Sequence, residues 1–179
     1  MTQINEVETT LKYAEKIIKI ASSFEGQVFG EYVREVVVPR SEDPYCNVIF
    51  ENIDIWFKNQ TLCNKFVQFF NDVEGHLSSI KEENIGLNDR SVTQSYLVLT
   101  SIKRLCLNIF VDDMFPIHDL DINCLSYFYS HGVQTVRVNY SLEKCANLED
   151  FETYKTQVIR NINNKHATML DSYFCYFFK

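Results

Sequence analysis

Apolar residues recur along the first part of the chain at spacings of three and four, as Val7, Leu11, Ala14, Ile17, Ile18 and Ala21, with Glu and Lys between them. That period predicts an amphipathic helix over 6–23. Gln27-Val28-Phe29 then reads as a short strand punctuated by Gly30, and Tyr32–Val37 as a short helix that stops before Pro39. Residues 39–45, PRSEDPY, read as loop. From Cys46 to Phe57 the period changes to two, which predicts a strand with Asn52, Asp54 and Trp56 on one face and Ile53, Ile55 and Phe57 on the other. Leu62, Phe66, Phe69, Phe70 and Val73 restore the helical period over 60–73, and the polar stretch 74–93 reads as irregular. Strands are expected at Ser95–Thr100, Arg104–Val111, Ile122–Tyr129 and, beyond Gly132, at Gln134–Asn139. Helices are expected over 148–164 and His166–Phe178. Helices at both ends bracketing a mixed sheet define a layered α/β (α+β) architecture, one domain spanning 1–179.

Composition narrows the function classes. The 179 residues include 46% hydrophobic and 14% aromatic residues but only 5 Gly and 3 Pro, a mixture that builds a core and excludes a linker-like chain. Seventeen Lys and Arg against 24 Asp and Glu leave a net charge of −7, so nucleic acid and anionic membranes are not expected partners. No apolar run approaches the ~18 residues of a membrane span, and MTQINEVETT has no signal-peptide character. The six cysteines (Cys46, Cys63, Cys106, Cys124, Cys145 and Cys175) form no CxxC pair and read as buried free thiols. An intracellular location follows as the expectation.

Two segments carry chemistry. FGEYVRE (29–35) passes from strand through glycine into helix, and after a loop ENIDIWF (51–57) presents Asn52 and Asp54 on one strand face. In this order, behind an initial helix, they resemble the nucleotidyltransferase fold, the DNA polymerase beta-like superfamily. LCLNIF (105–110) and FPIHDLDINCLSY (115–127) resemble the branch found in large DNA viruses of amoebae. The resemblance implies a nucleotidyltransferase-like mixed sheet, a phosphate-binding turn at Gly30 and Glu31, and three carboxylate positions holding two divalent ions that clamp a triphosphate. Those positions correspond here to Asn52, Asp54 and Asn108, one carboxylate where the pattern has three, and Glu31 stands where a second small residue would admit phosphate. At ~4 Å and an effective dielectric near 20, each lost carboxylate–cation attraction is worth about 4 kcal/mol before solvent compensation. The expectation is therefore a catalytically degenerate member without a cofactor, a structural or protein-interaction component that binds a protein partner or itself, in host cytoplasm or virion if viral. The alternative is an active Mg2+-dependent nucleotidyltransferase in which Asp54 is joined by Asp112 or Glu51, although alternation turns Glu51 away from Asp54.

The remaining candidates are weaker. His76, His118, His131 and His166 show no metal-ligand spacing. Asp112-Asp113 and Asp119-Leu120-Asp121 form an acidic patch expected to be a solvated loop. The run SYFCYFFK (172–179) is expected to dock on the protein's own sheet.

Overall fold

The computed structural model of the chain describes residues 2–74, 77–80, 94–99, 104–116, 120–138 and 148–169. Helix α1, Thr2–Ser23, buries Leu11, Ala14, Ile17, Ile18 and Ala21, the stripe its sequence period marks. It ends when Glu25 turns into the left-handed region (φ 62°) and the Gly26 N–H reaches back 2.8 Å to the Ala21 carbonyl. Gly26 is tied to this cap because a Cβ there would lie 2.9 Å from that carbonyl oxygen and from the Phe57 ring.

Strand β1, Gln27–Phe29, leads through Gly30 to a π-helical turn, Val33–Val37, that continues into α2, Val38–Glu42. Helical backbone thus runs through Pro39, where the sequence predicts a stop and then loop. Proline lacks an N–H and its ring collides with the carbonyl a turn earlier. The wide turn, closed by the Val38 N–H on the Val33 carbonyl, opens the helix just ahead of the ring and leaves Pro39 in the first turn of α2.

The strands are β2 (Asn52–Phe57), β3 (Leu77–Ile80), β4 (Gln94–Leu99), β5 (Arg104–Val111), β6 (Leu125–Ser130) and β7 (Val133–Val138). With β1 they form a seven-stranded sheet in the order β3-β4-β5-β2-β1-β6-β7. Among the described strands only β2 and β5 pair in parallel; α3 (Gln60–Glu74), β3 and β4 lie in the sequence between them. β6 and β7 join through His131 and Gly132, both at positive φ (50° and 77°), as the twist of a two-residue hairpin requires. A last helix, α4, spans Leu148–Asn163.

Register sorts the side chains into two faces. Val28, Ile55, Ile109 and Tyr127 align across four neighbouring strands on the face that α1 and α3 cover, where Phe57 stacks on Phe66 with centroids 5.3 Å apart. Phe29, Asp54, Asn108 and Ser126 align on the other.

Several sequence expectations shift. Residues 46–51 keep the alternation, with Val48 and Phe50 buried and Ile49 76% exposed, but they form no ladder among the described residues. The stretch 74–93 contains β3. The strand expected from Ile122 begins only at Leu125, after a 3₁₀ turn at Asp121–Asn123. Residues 166–168 are not helical, and Met169 bridges to Leu120; the aromatic run 172–179 lies outside the described residues.

Asp121 is not a solvated loop residue, being only 2% exposed. Its carboxylate accepts the Thr168 N–H and the Asn161 side-chain amide, both at 2.8 Å, which ties the end of α4 to the 3₁₀ turn. Asp121→Ala removes the acceptor of two part-buried hydrogen bonds and should cost about 2–4 kcal/mol of stability in denaturant unfolding. Asp121→Asn keeps one bond but opposes an amide N–H to a donor, so its loss should be about half as large; equal stability of both variants with wild type would show the clamp to be idle.

Candidate functional site

The polar end of the second sheet face gathers most of the residues that the motifs single out. The parallel register sets Asp54 beside Asn108 and Asn52 beside Cys106, and β1 delivers Gly30 and Glu31 to the same end. Asn108 Nδ2 donates to Asp54 Oδ1 at 2.9 Å, and Asn52 Nδ2 donates to Glu31 Oε2 at 3.1 Å. The second Glu31 oxygen accepts the Glu51 backbone N–H at 3.3 Å. Each carboxylate in the site is thus held by a neutral amide.

Gly30 sits at φ 72°, and a Cβ added to it would lie 2.7 Å from Asp54 Oδ2. The bare turn is used to admit the Asp54 carboxylate, which occupies the close approach to the Gly30 backbone that a phosphate would need. Burial raises the Asp54 pKa from 3.8 to about 6, and the charge of Glu31 adds to the rise; the Asn108 hydrogen bond and the Arg34 guanidinium pull the other way.

Arg34 and Asn123 belong to the site although the sequence gives them no role. Arg34 continues the helical turn from the Gly30 carbonyl (N to O 3.1 Å), and its guanidinium donates to Asn123 Oδ1. The available signal was a cation four residues after the turn glycine, on the same helical face. Beyond the polar end the face becomes aromatic. Phe29 meets Phe110 and Phe115 edge-on at 5.0 and 5.3 Å, and Phe115 meets Trp56 at 5.6 Å.

Neither substitute carboxylate is brought to Asp54. Glu51 is exposed and out of phase with Asp54 on the chain. Asp112 follows β5, four residues past Asn108 and so about 13 Å further along an extended chain. Its carbonyl accepts the Trp56 indole N–H at 2.9 Å and its carboxylate the Met114 N–H at 3.2 Å.

The donor set does not fit a pair of magnesium ions. The amides present N–H groups to Asp54 and Glu31, and offering oxygens instead would break two charge-assisted hydrogen bonds, each worth about 1.5–3 kcal/mol. Among the described residues no three His, Cys, Asp or Glu side chains converge as metal ligands. His131 lies in the hairpin turn and His166 beyond α4, whereas His76, His118 and Asp119 lie outside the described residues. Of the cysteines, Cys63 and Cys124 are buried free thiols, pushed up to about 11 and 12 by burial. Cys46 and Cys106 are only half-buried, and Cys145 and Cys175 lie outside the described residues. No helix among the described residues is long and apolar enough to cross a membrane.

Comparison with protein-family models, with curated proteins and with solved structures finds no match to this chain.

The raised Asp54 pKa has a signed consequence. The folded chain keeps a proton that the unfolded chain releases between pH about 4 and 6, so this group's stabilising contribution is present below pH about 4 and lost as pH rises through about 6. Wild-type stability minus that of Asp54→Asn should fall by on the order of 2–3 kcal/mol between pH 4 and 7 in urea unfolding. A pH-independent difference would mean that Asp54 titrates like a solvated carboxylate.

Proposed function

We propose that the chain is a nucleotidyltransferase-like domain whose ion-binding centre has become a hydrogen-bonded strut, and that it works as a non-catalytic structural or protein-interaction component, viral in origin and located in host cytoplasm or virion. The observation that carries the reading is the pair of amide-to-carboxylate hydrogen bonds, Asn108 to Asp54 and Asn52 to Glu31. The amides take up the electrostatic task that bound cations have in two-ion chemistry, namely relieving clustered carboxylates. Each amide places an N–H donor, not a cation-binding oxygen, against its carboxylate. Glu31 beside the glycine turn and Asp54 over Gly30 both oppose an approaching phosphate, by charge and by contact. The partner under this reading is another protein or a second copy of the chain.

The mixed sheet with β2 and β5 as its parallel pair supports the family reading only as far as architecture goes. The site chemistry favours the degenerate reading over the active one. An active enzyme using Asp54 with Glu51 or Asp112 would need one of those carboxylates to come to Asp54, whereas Glu51 is exposed and the Asp112 carboxylate accepts the Met114 N–H.

Wild-type protein should transfer no labelled nucleotide in magnesium. Asn52→Asp/Asn108→Asp should replace both amide donors by charge, set a carboxylate against Glu31 and another against Asp54, and so lower stability in metal-free buffer. Magnesium should restore that stability, and calorimetry should report an affinity at least about tenfold above wild type. Wild-type transfer abolished by Asp54→Ala would overturn the non-catalytic reading; unchanged magnesium affinity in the double variant would remove the family frame.

A further inference from the structure

On the opposite face of the sheet, α1, the π-helical turn with α2, and strands β6 and β7 line a cavity of about 610 Å3 that is open to solvent. It is separate from the Asp54 site, because Tyr127 in its floor belongs to the helix-covered face. The volume suits a small organic molecule. Its charge is opposite to that of the chain. Lys12, Lys16 and Lys19 line one wall and Arg40 another, against the carboxylates of Glu8 and Glu15, in a protein of net charge −7. The three lysines are spaced four and three residues apart, so α1 stacks them in one stripe, although no basic run exists in the sequence.

Both carboxylates are already engaged. Glu8 pairs with Arg40 at 3.0 Å. Glu15 receives the hydroxyls of three tyrosines: Tyr32 at 2.8 Å, Tyr127 at 3.1 Å, and Tyr129 in a shorter contact. Each hydroxyl has one proton and spends it on Glu15. Burial and this carboxylate raise the pKa values of Tyr32 and Tyr127, so the hydroxyls stay neutral and the cluster carries only the Glu15 charge. The tyrosines therefore have no donor left for a neutral ligand, and the ammonium groups at the rim supply the remaining attraction. Lys19 is held there over the Tyr129 ring, 5.3 Å from its centroid. Leu11, Val36 and Val136 give the cavity apolar walls.

We propose that this cavity binds a soluble organic anion, a molecule with an apolar body and one phosphate or carboxylate group, the body lying against the aliphatic wall and the charge at the rim that Lys12 and Lys19 line. The inference is independent of the reading of the Asp54 site, since no residue is shared between the two. Octyl phosphate, below its micelle concentration, is the probe. Calorimetry on the full chain should show one site per chain, weakened by raised ionic strength and bound at least about tenfold more tightly than either octanol or inorganic phosphate. Lys12→Ala/Lys19→Ala, at exposed positions that leave folding intact, should weaken octyl phosphate about tenfold. Val136→Trp should abolish binding by filling the cavity with every charge in place. Absence of wild-type binding, octanol binding as tightly as octyl phosphate, or unchanged affinity in either variant would overturn the proposal.

Discussion

The centre of this molecule depends on the parallel pairing of β2 with β5. Parallel neighbours need a long connection, and here α3, β3 and β4 all lie within it before β5 returns beside β2. The register that results aligns Ile53 with Leu107 and Ile55 with Ile109 toward the helices, which forces Asp54 and Asn108 side by side on the other face. A slip of one residue would turn Asp54 into an aliphatic core and bring Ile55 out. The position of a carboxylate inside the fold is thus a by-product of where the isoleucines must go, and the hydrogen bond from Asn108 makes that position tolerable.

The two faces of the sheet each hold a carboxylate away from bulk water and treat it differently. Glu15 sits among three phenolic hydroxyls, weak acids that donate to a carboxylate and remain neutral. Asp54 has one amide donor, a nearby guanidinium and a second carboxylate at Glu31, and the balance leaves its pKa high. Hydroxyl donors from β6 and from Tyr32, gathered on a carboxylate of α1, make the floor of a cavity. Amide donors opposite a second acidic residue make a closed strut instead.

Much of the sheet was legible because burial on one face only writes period two into the sequence, as in NIDIWF and RLCLNIFV, and β1 and β5 begin and end where the pattern says. The shared face of Asn52 and Asp54 was legible for the same reason, whereas Asn108, beside Asp54 in the register, was named only through the family resemblance. What escaped depends on contacts between distant segments. The helix through Pro39 needs a π turn whose hydrogen bond, Val38 to Val33, leaves no compositional mark. Asp121 looks like any loop acid until Asn161 and Thr168, forty and forty-seven residues on, arrive to bind it. The lysine stripe on α1 was hidden by arithmetic, since net charge sums over the whole surface while a helix sorts residues by angle.

Asparagine differs from aspartate by more than a loss of charge, since at 52 and 108 the amide supplies a donor to a neighbouring carboxylate. With carboxylates at 52 and 108, Glu31 and Asp54 would add to a cluster of like charge that only a cation could hold together. With amides, the same four side chains close on themselves as two hydrogen-bonded pairs. Glu31 follows the same logic. A carboxylate next to the glycine turn obstructs a triphosphate, but it gives Asn52 an acceptor and ties the Glu51 backbone to the turn. The residues at 31, 52 and 108 therefore depend on one another physically, and changing Asn52 or Asn108 alone to aspartate would leave a carboxylate facing a carboxylate.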